Sequence, residues 1–158
     1  MKHLFRVFLL ASLAMPGMAA DKPVPYPDGY RDWHHVKSMV IEEGHPLYGA
    51  FGGIHHLYAN KKAVKGYSSG TFPNGSVIVF DLLEAHRGDA AVTEGQRKVL
   101  GVMYKDSRAY AATGGWGYEG FAAGARDDRV VGDKAATACH ACHTSQKDHD
   151  FVFSRLRD

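Results

Sequence analysis

Phe72-Pro73-Asn74-Gly75-Ser76-Val77-Ile78-Val79-Phe80 is the stretch of the chain whose reading decides the fold. Asn74-Gly75 supplies the positive φ values of a tight turn. The apolar run that follows reads as a buried strand extending toward Leu83. Upstream, Trp33 to Ile41 is rich in β-formers and has no breaker, so it reads as a strand, and Glu43-Gly44-His45-Pro46 then turns the chain. Ile54 to Ala59 is a second strand after the flexible Gly52-Gly53, and Asn60 caps a short helix over Lys61 to Tyr67. Downstream, Val99 to Tyr104 is another strand. Asp106 or Ser107 caps a short helix through Ala112, stopped by Gly114-Gly115. Trp116 to Phe121 returns as a strand, with Trp116, Tyr118 and Gly120 on one face and Gly117, Glu119 and Phe121 on the other.

The sum is an α+β domain, residues 30–158, built mostly of antiparallel β-sheet with short helices. Its last helix-permissive stretch, Ala135 to Thr144, carries the cysteines. No helical pattern is long enough for a four-helix bundle, and seventeen of the eighteen glycines lie beyond residue 20, too many for long helices.

The first twenty residues do not belong to this domain. Lys2, His3 and Arg6 make a basic start, Val7 to Ala14 is an apolar core, and small residues lead into Ala19 and Ala20. That is the layout of a cleaved secretory signal peptide, which sends the chain to the periplasm. The alternative, a membrane anchor, needs roughly 20 apolar residues, and Pro16 and Gly17 interrupt this run. Residues 21–29 contain Pro23, Pro25 and Pro27 and read as an extended leader. Without residues 1–20 the chain has 17 basic and 17 acidic residues. A balance near zero gives no electrostatic case for nucleic acid or a membrane surface, and points to a small partner.

The only two cysteines stand in Cys139-His140-Ala141-Cys142-His143. A disulfide between such near neighbours would staple nothing distant. Cys-x-x-Cys-His is the attachment signature of c-type haem. Two thiols three residues apart can each bond one vinyl group of a porphyrin, and the adjacent His143 then lies under the iron as its axial ligand. Two other readings compete. A redox dithiol would normally follow the first strand of a βαβ unit, and no such unit is present. A zinc site needs two more ligands; ten histidines allow it, but no second pair is placed to suggest it. The expectation is therefore one covalent haem c with its iron, on Cys139, Cys142 and His143. No methionine follows the motif, and beyond residue 20 only Met39 and Met103 occur, both in expected strands where core packing is the usual role. The proximal ligand is therefore clear and the sixth position is open; an iron with no strong sixth ligand is one that can bind small molecules.

Blocks along the chain suggest a family. Tyr30-Arg31-Asp32-Trp33, Gly70-Thr71-Phe72-Pro73-Asn74-Gly75, Lys105-Asp106-Ser107 with Trp116, and the C-terminal motif with Phe151-Val152-Phe153-Ser154-Arg155 together resemble the cytochrome P-460 family, which includes cytochrome c′-beta. The resemblance implies an antiparallel β fold, often dimeric, with a five-coordinate haem c. It also implies that Phe72 sits where a loop approaches the haem; an apolar core role is the alternative for this residue. Hydroxylamine-oxidising members carry a lysine-to-porphyrin cross-link, whose position falls here on Tyr67 or Ser68, with Lys65 two or three residues early. An acidic residue associated with the enzymes' distal pocket would fall near Gly101 and is absent. Both departures favour a gas-binding member like cytochrome c′-beta, whose distal pocket is walled by aromatics.

Among the other residues, His55 and His56 adjoin on a strand and face opposite sides. One of them could be a distal proton donor or sixth ligand, against a bland reading of one exposed and one hydrogen-bonded core histidine. His34 and His35 repeat the pattern, and Lys61, Lys62 and Lys65 read as a solvated helix face. The functions that remain are binding of nitric oxide or a similar nitrogen-oxide or diatomic ligand, oxidation of hydroxylamine or reduction of peroxide at the same iron, and electron transfer with a periplasmic redox partner.

Overall fold

The computed structural model describes residues 22–157; the expected signal peptide, residues 1–20, lies outside the described residues. Five antiparallel strands form one sheet in chain order: β1 (His34–Ile41), β2 (Gly53–Ala59), β3 (Val77–Gly88), β4 (Ala91–Lys105) and β5 (Trp116–Ala122). Helical pieces are short. They are α1 (Tyr48–Phe51), α2 (Lys61–Ser69), single 3₁₀ turns at Tyr30–Asp32 and Ala111–Thr113, and a C-terminal run of turns: Gly132–Lys134, Ala135–His140, α3 (Ala141–His143) and Thr144–His149. No helix among the described residues is long and apolar enough to cross a membrane. The α+β reading holds.

Val77 to Phe80 is apolar without alternation because both faces of the sheet are covered at that point. Val77 and Val79 join one cluster with Val24, Tyr30, Leu100, Val102, Tyr110 and Phe121. Ile78 joins the other, with Val36, Ala59, Ala63, Phe72, Trp116, Tyr118 and Val152. The division of β5 expected from alternation is thus observed, with Trp116 and Tyr118 on the second face and Phe121 on the first. Residues 22–27 have no regular structure, yet Val24 is buried in the first cluster and the Tyr110 hydroxyl donates to the Lys22 carbonyl (2.7 Å).

Two local signals act as expected. Asn60 Oδ1 accepts from the Ala63 amide (2.9 Å) and from the Val77 amide (3.2 Å), so the cap of α2 also fixes the start of β3. Ser76 N donates to Pro73 O (3.0 Å) around Asn74-Gly75, with Gly75 at φ +83°. The turn joins α2 to β3. The helix expected through Ala112 is shorter: Asp106 Oδ1 accepts from the amides of Arg108 and Ala109 (both 3.1 Å), but only Ala111–Thr113 is helical, as a 3₁₀ turn. β3 and β4 run well past the expected Leu83 and Val99, to a turn at Asp89-Ala90, both at positive φ. That half of the hairpin is polar and mostly exposed, so ladder pairing holds it with no apolar signal in sequence.

Candidate functional site

The motif lies on the C-terminal helical turns, packed against the face of the sheet that carries the second cluster. Cys139 is half-buried in that cluster, Cys142 is exposed, and both are free thiols. The run is anchored upstream by Glu119, a buried carboxylate on β5. Its Oε1 accepts from the amides of Val131 (3.0 Å) and Gly132 (3.4 Å), while Arg129 donates to Oε2 (3.2 Å).

His143 Nδ1 lies 2.7 Å from the Phe151 carbonyl oxygen. A carbonyl can only accept, so Nδ1 carries the proton and Nε2 carries the lone pair. Burial pushes the His143 pKa down from its ordinary value, and the hydrogen bond to Phe151 partly opposes that shift. The ring is 5.0 Å from those of Tyr118 and Phe153. The Cys139 thiol is pushed up, first by burial and then by Glu119. That is opposite to the lowered thiol of a redox dithiol. Among the described residues, no group of three or more His, Cys, Asp or Glu is arranged to hold a metal ion, so the zinc reading finds no ligand set.

Cross-strand register shows what shares the face with the motif, since paired residues point the same way. Ala59, Ile78, Met103 and Tyr118 form one row; Leu57, Phe80, Gly101 and Gly120 the next; Met39, His55, Leu82 and Val99 the next. Phe51, on α1, stands edge-on to Phe80 (5.6 Å), and the His55 ring lies 4.5 Å from Phe80 on a 33° tilt. His55 is 4% exposed, and its Nδ1 has no hydrogen-bond partner among the described residues. Burial first, then His56, lowers its pKa to about 4, so it is neutral at ordinary pH.

The other sequence candidates fall as follows. His56 points to the opposite face and bonds Ser38 Oγ and Glu94 Oε1, each at 2.5 Å. His34 is exposed, and His35 bonds the Ser38 hydroxyl (2.9 Å). Lys65 is exposed on α2, whereas Tyr67 turns inward, its hydroxyl 2.6 Å from Ser154 Oγ and its ring edge-on to Phe72. Phe72 is only 4% exposed, edge-on to both Tyr67 (5.0 Å) and Trp116 (5.4 Å). Its ring thus belongs to the core packing. Its amide, though, donates to Asp150 Oδ2 (2.8 Å), seven residues beyond His143. Met103 packs in the motif's cluster, and Met39 lies on the edge strand, 48% exposed.

The model of the cytochrome P-460 family matches residues 27–154. The chain belongs to the cytochrome P-460 family. No curated protein matches it. Membership of the cytochrome P-460 family makes this chain a haem-binding cytochrome. The residues present fit that cofactor: two free thiols at the attachment spacing, a half-buried histidine whose Nε2 is free to ligate, and a sheet face of half-exposed apolar side chains beside them. Phe51, Phe80 and the Phe151 carbonyl escaped the sequence reading. Phe51 sits in a four-residue helix with no periodic signal, and a backbone carbonyl leaves no residue-type signature at all.

Proposed function

We propose that this chain is an exported, periplasmic cytochrome with one haem c, binding nitric oxide or a similarly small ligand at a five-coordinate iron. In this reading Cys139 and Cys142 hold the porphyrin by thioether bonds and His143 Nε2 is the single axial ligand from the protein. Bound there, the haem supplies an iron with an open coordination position. The observation that carries the reading is the hydrogen bond of His143 Nδ1–H to Phe151 O (2.7 Å), because it commits one ring nitrogen and leaves the other to ligate.

The open position is supported by what stands elsewhere on the face. Leu57, Phe51 and Phe80 carry no group that ligates iron, and they give that face an apolar lining. The enzyme reading loses support at two positions: Lys65 is on the solvent side of α2, and Gly101 puts no carboxylate beside Phe80. A second reading, electron transfer, is favoured by one observation, the unpartnered Nδ1 of His55, which would serve as a sixth ligand.

An optical spectrum of the ferrous protein tests this. The expected result is broad high-spin visible bands that sharpen or shift when nitric oxide is added. Sharp, split low-spin bands before any addition would overturn it. If His55→Ala then converted them to high-spin bands, His55 would be the sixth ligand and the electron-carrier reading would stand.

A further inference from the structure

After the last helical turn the chain bends through two consecutive residues in left-handed conformation, Asp150 (φ +51°, ψ +41°) and Phe151 (φ +64°). Asp tolerates that region; Phe does so only where its surroundings impose it. The constraint is visible on every side of Asp150. Its Oδ1 accepts from Lys105 Nζ (2.6 Å), its Oδ2 from the Phe72 amide (2.8 Å), and its carbonyl from Trp116 Nε1 (2.8 Å). Lys105 is itself held: Nζ also donates to Gly114 O (3.1 Å) and lies 4.9 Å from the centre of the Trp116 ring. Both charged side chains are largely buried, at 9% and 13% exposure. The end of β4 and the turn after α2 therefore converge on the Asp150 carboxylate, and the start of β5 holds the same residue by its backbone carbonyl. The next carbonyl along the chain, that of Phe151, receives the His143 Nδ1 proton.

We infer that Asp150, clamped by Lys105, is the positioning residue that sets the orientation and basicity of His143 through the Phe151 carbonyl. The inference rests on the haem reading above. An imidazole that donates strongly from Nδ1 is more electron-rich at Nε2, so it binds iron more firmly and favours the oxidised metal. A rigid carbonyl keeps that donation strong. A corner free to relax would lengthen the hydrogen bond and let the ring turn.

Asp150→Asn tests this in the full-length protein, because Asn tolerates the left-handed corner while the charge that holds Lys105 is lost. Resonance Raman of the ferrous protein should show the iron–histidine stretch shifted down and broadened, and the midpoint potential should rise. Tyr30→Phe removes a buried hydrogen bond to Asp81 on the opposite face. It should leave both readouts unmoved, however much stability it loses. Should Asp150→Asn fail to fold because Lys105 is left buried and unpaired, Lys105→Met with Asp150→Asn removes both charges and is read the same way. A folded, haem-loaded variant with unchanged stretch and potential overturns the inference. A wild-type protein with no iron–histidine stretch overturns the haem reading instead, so the two failures are distinguishable.

Discussion

The His55 ring lies against that of Phe80, centroids 4.5 Å apart, with its Nδ1 buried and unpartnered among the described residues. A neutral imidazole tolerates this position; an imidazolium does not.

The pH dependence of stability follows from that contact. The His55 pKa is lowered in the fold to about 4 from 6.5, so between those values the unfolded chain binds more protons there than the folded one. Its contribution is fully present above pH 6.5 and is lost as pH falls toward 4. His55→Leu should flatten the fall of the urea midpoint across that window. An equally steep fall in the variant would show that other groups carry it.

Haem attachment should need both cysteines. Cys139→Ala together with Cys142→Ala is expected to give protein from which acidic organic solvent extracts all the haem, or apoprotein alone. Haem that still resisted extraction would remove the thioether assignment.

Lys65 should not be joined to the porphyrin, since it faces solvent on α2. Mass analysis of the haem peptide after digestion is expected to show bonds to Cys139 and Cys142 only. A third bond, with a strongly red-shifted ferrous Soret band, would move the assignment to hydroxylamine oxidation.

Gly66 is in a helix, where alanine would ordinarily gain about 1 kcal/mol. Here a Cβ would sit 2.3 Å from Phe72 Cδ1 and 2.9 Å from Phe72 Cα. Backbone cannot yield as a flexible side chain does, and overpacking typically costs about 1–3 kcal/mol. Gly66→Ala should therefore be net destabilising, by up to about 2 kcal/mol in urea titration. A stabilised variant would mean that the Phe72 turn shifts freely.

The strands at residues 34–41, 53–59 and 116–122 and the capped α2 were legible because their signals are local: β-branched and aromatic residues, a breaker, an Asn at the helix start. The outer halves of β3 and β4 were not, because exposed polar residues paired only by backbone leave no hydrophobic period. Likewise, Asp89-Ala90 makes its turn without the Asn-Gly signal. Within the site, residue type and spacing alone singled out Cys139, Cys142 and His143, since attachment chemistry needs those side chains three and one residues apart.

The sequence by itself therefore determined the α+β class, the strand alternation that sorts β5, and the attachment motif, all properties of residues close along the chain. Only the tertiary structure decided which groups meet across long separations. It put His55 on the motif's face and His56 on the other, buried Phe72 in the core, and set Phe51 against Phe80. It also delivered Lys105 to Asp150, 45 residues apart, and the Phe151 carbonyl to His143. The physical reason is that register and burial are fixed by pairing the whole sheet at once, and a backbone carbonyl's direction depends on its neighbours' dihedrals, which no side-chain pattern encodes.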